Sequence, residues 1–205
     1  TTPGVETSTY DEGTVVNLVA SPRPGYRFVS WTGDVGTIAD VSAASTTITM
    51  DAHHSVSANF AQIVPMVAAG WYHTVGVRSD GTVIAVGRNG EGQCNVGGWT
   101  NIIQVSAGWL HTVGLRANGT MVVVGYNGYG QCNVGSWTNI VQVAAGAYHT
   151  VGLKSDSTAV AVGYNYHGQC DVASWTNIIQ VSTGLYHSVG LKSDGTVVAV
   201  GDNGT

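Results

Sequence analysis

The 205-residue chain carries 7 Lys+Arg against 12 Asp+Glu, for a formal net charge of −5, and has no basic patch of the kind that neutralises phosphates; nucleic acid is excluded as a partner. Hydrophobic residues make up 43% of the chain, charged residues only 9%, and there are 29 glycines, a composition that suits an all-β fold with many tight turns. No apolar run approaches the roughly 20 residues of a membrane helix, so no membrane span is expected in this segment.

The opening TTPGVETST reads as the interior of a longer polypeptide. Within residues 1–62, GTVVNLVASP, GYRFVSWTGD, TTITMD and SVSANFA read as four strands separated by turn residues, a small β domain. It runs into the following segment through AQIVP without a flexible linker, so the two modules are expected to be held close together.

From residue 63 onward the chain repeats itself. His73, His111, His149 and His187 are spaced 38 residues apart, as are Cys94, Cys132 and Cys170, and Trp99, Trp137 and Trp175. One unit is NIIQVSAGWLHTVGLRANGTMVVVGYNGYGQCNVGSWT, residues 101–138; the first begins near Ile63 and the fourth breaks off at Thr205. In each unit an apolar strand (NIIQVSAG) is followed by two alternating strands (HTVGLR, TMVVVG). SDG or ANG lies between the latter two, as for a type I′ hairpin with two residues at positive φ. The third unit has SDST, so Ser157 takes the glycine position and should be strained. QCNVG reads as a short fourth strand. A four-stranded unit of about 40 residues has the size of a β-propeller blade.

Several repeated residues invite a chemical reading. The glycines of GYNGYGQCNVGSWTNI (125–140) resemble a phosphate cradle, but a strand follows where a helix N-terminus is needed. The cysteines and histidines recur once per blade, about 10 Å apart, too far to share a metal or form a disulfide. The cysteines are therefore expected to be reduced, metal-free, small buried hydrophobes. The histidines are expected to hydrogen-bond backbone between strands or blades, and Trp99, Trp137 and Trp175 to pack between blades. Arg78, Arg116, Lys154 and Lys192 read as a solvated rim. Carboxylates are sparse and no catalytic constellation is visible; no catalytic residue, cofactor or metal is expected.

What varies from unit to unit points to specialisation. After the Ala/Thr-Gly pair stand Trp71-Tyr72, Trp109-Leu110, Ala147-Tyr148 and Leu185-Tyr186; around the following N-x-x-G turn stand Arg88 and Glu91, Tyr126 and Tyr129, then Tyr164, Tyr166 and His167. Tyr and Trp offer large contact area at low entropic cost. The candidate binding surface is thus Trp71, Tyr72, Arg88, Glu91, Trp109, Tyr126, Tyr129, Tyr148, Tyr164, Tyr166, His167 and Tyr186. Tyr126, Tyr129, Tyr164, Tyr166 and His167 are expected on one face, and more exposed than the repeated tryptophans.

The phrase AGWYHTVGVRSDGTVIAVGRNGEGQCNV, with its His-Thr/Ser, DGTV, VG-x-N and GQ, resembles the regulator-of-chromosome-condensation repeat, with Val in place of Trp before the glycine and Cys in place of Leu after GQ. TYDEGTVVNL, GYRFVSWTGD and TTITMDAHHSVSANF resemble divergent internalin-type B-repeats of bacterial surface proteins. These resemblances imply an all-β chain: a small N-terminal domain at 1–62, and an incomplete propeller of 38-residue blades at 63–205. They imply a bacterial cell-surface or secreted setting and a non-catalytic role in binding an unknown protein or glycan. Guanine-nucleotide exchange on a small GTPase and a lyase-type propeller enzyme stand as alternatives. The arc of repeats is expected to be open and prone to self-association, and to be completed by further repeats in a longer chain.

Overall fold

The computed structural model describes residues 7–23 and 25–202. Its regular structure is sixteen β-strands, with no helix among the described residues, and the chain divides into two compact units, Thr1–Gln62 and Ile63–Thr205.

In the first unit β1 (Thr14–Val19) pairs antiparallel with β3 (Ser45–Met50), and β2 (Tyr26–Gly33) with β4 (Val56–Gln62). The four strands fall where alternation in the sequence places them. One face of this alternation packs Ala20, Phe28 and Trp31 into a small core. The Trp31 indole N–H, costly to bury unpaired, donates to the Ala43 carbonyl at 2.9 Å.

The second unit is a series of four antiparallel sheets, each of three strands in sequence order. They are β5 (Met66–Ala69), β6 (His73–Val77) and β7 (Val83–Gly87); β8 (Ile102–Ala107), β9 (His111–Arg116) and β10 (Met121–Gly125); β11 (Ile140–Ala145), β12 (His149–Lys154) and β13 (Ala159–Gly163); and β14 (Ile178–Thr183), β15 (His187–Lys192) and β16 (Val197–Gly201). The expected fourth strand of each blade is absent among the described residues. Instead QCNV is held in consecutive turns. The Asn89 carboxamide accepts the Cys94 N–H at 2.8 Å and donates to Asn95 at 3.0 Å, so these backbone groups are satisfied locally rather than by a neighbouring strand. Asn127 and Asn165 do the same in the next two units.

The hairpin turns also differ from expectation. Only the fourth residue has positive φ (Gly81 78°, Gly119 76°, Gly195 85°), and the 81, 119 and 195 N–H groups return to the carbonyls of 78, 116 and 192. This is a type I turn followed by a left-handed residue, not type I′. The carboxylate of Asp80 selects it by accepting both the N–H (2.9 Å) and hydroxyl (2.6 Å) of Thr82. Ser157 occupies the glycine position at φ 64°, a conformation L-residues enter at a cost.

Successive blades bury their facing sides together. Val75, Val77 and Val83 of the first pack with Ile102 and Val105 of the second; Val113 and Leu115 pack with Ile140 and Val143; Val151, Leu153 and Ala159 pack with Ile178 and Val181. Each such side chain contributes roughly 1.5–3 kcal/mol when fully buried. The repeated tryptophans lie in these junctions. A Cβ at Gly114 would stand 2.7 Å from Trp99, and one at Gly152 or Gly190 would stand 2.9 Å from Trp137 or Trp175. The glycine in HTVGL is therefore a slot for an indole.

Candidate functional site

Two loops of each blade lie at the same end. His73 pairs with Gly87 across β6 and β7, so the residues just before the first and just after the second are neighbours. The Arg88 N–H donates to the Tyr72 carbonyl at 2.9 Å, Tyr126 to Leu110 at 2.8 Å, Tyr164 to Tyr148 at 2.8 Å and Asp202 to Tyr186 at 2.8 Å. The glycine between strand and loop is required: Gly125 has φ 110°, and a Cβ there would collide with the Leu110 carbonyl.

A buried relay fixes this end from beneath. The Thr112 hydroxyl donates to the Gln93 carbonyl at 2.7 Å, so its oxygen accepts the Nε2–H of His73, also at 2.7 Å. His111, Thr150 and Gln131 repeat the arrangement (3.1 and 2.9 Å), as do His149, Ser188 and Gln169 (3.0 and 2.7 Å). The histidines thus reach the hydroxyl of the next blade, and only through it the backbone, because the ring extends beyond its own sheet. Nδ1 of all three is buried without a hydrogen-bond partner among the described residues. A second proton there would be desolvated and unpaired, and burial lowers the pKa of His111 to about 3 and that of His149 to about 4.

The cysteines are half-buried rather than fully buried hydrophobes. Each thiol donates to the carbonyl of residue 88, 126 or 164 at 3.3 to 3.4 Å. Burial pushes Cys132 and Cys170 up to about 11, which leaves them poor nucleophiles at neutral pH.

On this framework the variable aromatic side chains form one connected ribbon. Trp71 stacks on Trp109 with ring centroids 4.8 Å apart and planes 22° from parallel. Trp109 meets Tyr148 at 4.8 Å, Tyr148 meets Tyr129 at 5.2 Å, and Tyr129 meets Tyr164 at 5.0 Å. Tyr164 continues to Tyr166, His167 and Tyr186, and Tyr126 flanks Tyr129 and Tyr148. At the first-blade end Tyr72 lies beside Trp71, and the Arg88 guanidinium sits 5.3 Å from the Tyr72 ring centroid. Eleven of the twelve candidate residues are thereby joined. Glu91 is exposed and makes no ring contact; its N–H donates to Gln93 Oε1 at 3.0 Å.

Tyr166 is 81% exposed and Tyr129 48%, against 8% and 5% for Trp99 and Trp175. Tyr126, Tyr164 and His167 are half-buried, as is Trp137, so the expected contrast in exposure holds for Tyr129 and Tyr166 and does not separate the other three, which lie packed among neighbouring rings, from Trp137. The tyrosine hydroxyls and the indole N–H groups of Trp71 and Trp109 have no hydrogen-bond partner among the described residues. Tyr148 is shifted up by burial and then by its tyrosine neighbours, so its hydroxyl stays protonated and able to donate. Beside the ribbon, the Gly70-Trp71, Gly108-Trp109, Gly146-Ala147 and Gly184-Leu185 segments line a concavity of about 280 Å³. The buried polar groups that carry the relay, Thr112, Thr150, Ser188 and the glutamines, enter the sequence reading only as the His-Thr/Ser and GQ fragments of the repeat, with no role assigned to them.

The profile of the divergent InlB B-repeat domain matches residues 1–64, and that of the regulator of chromosome condensation (RCC1) repeat matches 67–93, 102–131, 140–169 and 178–204. No curated protein is a significant match. Among solved structures, Prp20p of Saccharomyces cerevisiae, described with its binding to Gsp1p and histones, superposes with a TM-score of 0.57 at 18% identity, over 75% of this chain and 49% of that one. Human WBSCR16 gives 0.56 at 18%, over 86% and 61%. The ectodomain of the Arabidopsis thaliana receptor kinase ACR4 gives 0.55 at 23%, over 66% and 55%. The chain spans about half the length of the first of these, and at such identities the likeness is one of fold.

Proposed function

Because this chain belongs to the regulator of chromosome condensation (RCC1) repeat family, we propose that it is a non-catalytic interaction module that recognises a protein or glycan through the aromatic ribbon. One observation carries the reading. Ten aromatic side chains from four blades meet on one end of the repeats, with no hydrogen-bond partner for their hydroxyl and indole N–H groups among the described residues. Such a surface combines apolar area with hydrogen-bonding capacity and little charge, which suits a neutral, polar ligand. Three of the carboxylates in the repeats are held in the hairpin turns: Asp80, Asp156 and Asp194 each hold the threonine two residues on. The two units are read as separate domains, residues 1–62 as a B-repeat-like domain and 63–205 as propeller repeats. The B-repeat match supports an extracellular bacterial setting.

The reading is tested by affinity electrophoresis of the chain through soluble xylan, glucan, mannan and solubilised peptidoglycan, with surface-display peptide selection for protein ligands. Trp109→Ala and Tyr129→Ala should each weaken a selected interaction at least about tenfold, in keeping with aromatic anchors worth 1–2 kcal/mol or more, with circular dichroism unchanged. Binding indifferent to both substitutions removes the ribbon as the site. Accelerated release of fluorescent GDP from a small GTPase would replace the reading with nucleotide exchange.

A further inference from the structure

The hairpin tips, at the end of each blade opposite the ribbon, share one construction, and the second blade departs from it at a single residue. The N–H groups of Arg78, Arg116, Lys154 and Lys192 donate to the carbonyls of Thr82, Thr120, Thr158 and Thr196 at 2.8 to 2.9 Å. Inside each turn one side chain holds that threonine. Asp80, Asp156 and Asp194 accept its N–H at 2.9 to 3.0 Å and its hydroxyl at 2.6 Å. In the second blade the same two donors, from Thr120, reach Oδ1 of Asn118 at 3.1 and 2.7 Å. The threonine bonds, and to a smaller extent the cation two residues before, hold the three carboxyls below their usual range. Arg116 has only an amide in that place.

Asn118 is followed by Gly119; Asn89-Gly90 and Asn127-Gly128 are the other such pairs among the described residues. Asparagine before glycine can lose its amide, because the glycine nitrogen, unhindered by a Cβ, attacks the side-chain carbonyl carbon. The three sites present that carbon differently. The carboxamides of Asn89 and Asn127 are drawn to residues five and six positions on: Oδ1 accepts the N–H of Cys94 or Cys132, and Nδ2 donates to Asn95 or Asn133. At Asn118 the bond from the Thr120 N–H to Oδ1 closes a ring over the Asn118–Gly119 peptide itself, which keeps the carbon beside the attacking nitrogen. The Thr120 N–H and hydroxyl together are placed to stabilise the oxyanion that attack creates on Oδ1. Asn118 is exposed, and Nδ2, the leaving group, has no hydrogen-bond partner among the described residues. The Gly119 N–H, 3.0 Å from the Arg116 carbonyl, must leave that bond as its proton passes to solvent.

We propose that Asn118 is a site of spontaneous modification, at which the turn of the second blade is converted to the residue type that the other three turns carry. The Gly119 nitrogen bonds to Cγ of Asn118 and gives its proton to solvent, the bond from Cγ to Nδ2 breaks, and ammonia leaves. Water then opens the cyclic imide. Cleavage of the new Cγ–N bond gives aspartate; cleavage of the original peptide C–N bond gives isoaspartate, with the backbone routed through the side chain. The aspartate meets a turn already made for it, with two threonine donors and a cation, as around Asp80. The isoaspartate lengthens the backbone by one atom and displaces Gly119, whose carbonyl accepts the Ile140 N–H of the next blade at 3.2 Å. One product tightens the hairpin and the other loosens it.

Ageing of the folded chain at neutral pH and physiological temperature, followed by peptide mapping with mass spectrometry that resolves aspartyl from isoaspartyl products, tests this. The amide-to-acid mass gain should accumulate at Asn118 at least about tenfold faster than at Asn89 or Asn127. In denaturant the three rates should converge, since only the Asn-Gly pair is then left. Thr120→Val, which removes the hydroxyl donor, should slow the reaction at Asn118 severalfold, and Thr120→Ser should keep its rate. Asn118→Asp, which supplies the aspartate without the imide, should raise the thermal midpoint by about 1–3 °C. The proposal is overturned if Asn118 in the folded chain is no faster than the other two sites, or if Asn118→Asp lowers the midpoint. A Thr120→Val variant that reacts faster overturns it too, since that is what a merely loosened turn would do.

Discussion

The interior and the aromatic end of the blades share one 38-residue period and use it in opposite ways. Inside, His73, His111 and His149 meet Thr112, Thr150 and Ser188 through one hydrogen-bond pattern. At the end, the residues immediately before those histidines are Tyr72, Leu110 and Tyr148. A buried donor or acceptor that loses its partner costs about 1–3 kcal/mol, and one in water costs almost nothing. Identity is held where water cannot substitute and released where it can. The ribbon is therefore the part of the molecule free to be fitted to a ligand.

The largest expected effect comes from pH. Above an unfolded histidine value near 6.5 the buried rings are neutral in both states, and their contribution is intact. Between 6.5 and the folded values of about 3 for His111 and about 4 for His149, the unfolded chain binds protons that the native chain refuses. Stability must then fall as pH falls, at about 1.4 kcal/mol per unit per histidine. Urea titrations from pH 7 to pH 4 should show a loss of several kcal/mol, and a flat profile would mean that the relay is open to solvent.

Next comes Thr150→Val, which leaves the His111 N–H and the Gln131 carbonyl buried and unpaired. The expected loss is about 2–4 kcal/mol. Thr150→Ser, which keeps the hydroxyl, should recover most of it in the same denaturation assay.

A smaller effect separates the junctions from one another. The Gln104 carboxamide donates to the Val143 carbonyl and accepts the Val143 N–H in the next blade, and Gln142 does the same with Val181. Met66 stands in their place in the first unit, so the first junction lacks this carboxamide clamp. Gln142→Met should cost about 1 kcal/mol or slightly more, and Met66→Gln should gain part of that, compared by thermal unfolding. Equal and opposite shifts near zero would show that the clamp orders the junction without stabilising it. Smallest of all, Tyr166→Ala, at a side chain 81% exposed, should change stability by less than about 0.5 kcal/mol. Under the proposed function its effect should instead be seen in ligand retention, which sharpens the contrast with Thr150.

Much of this was legible in the sequence because period and alternation report directly on which side chains face which layer. The strands of both units follow from them, as does the role of Trp99, Trp137 and Trp175 in the junctions. The supposed fourth strand was not, since QCNV has strand-like composition and only the Asn89 side chain, six residues from Asn95, decides for turns. The hairpin type was missed for a similar reason: Asp80 looks like the first half of a type I′ turn until its carboxylate is seen to hold Thr82. For the ribbon, the neighbouring loops of a single hairpin could be paired from sequence. Ring contact between blades, such as Trp71 on Trp109, depends on the distance between sheets, which no local pattern encodes.

Each relay begins and ends within two consecutive units: the histidine of one, the hydroxyl of the next, and the glutamine carbonyl that precedes it. Excision of residues 101–138 would bring His73 to Thr150 and Thr150 to the carbonyl of Gln93, restoring the same chemistry. Duplication of that stretch would do so equally. At the level of the gene, unequal recombination between repeats can therefore lengthen or shorten the arc by whole units without passing through a broken interior. Each event adds or removes one set of aromatic side chains, so the extent of the ribbon can evolve by copy number as well as by point substitution.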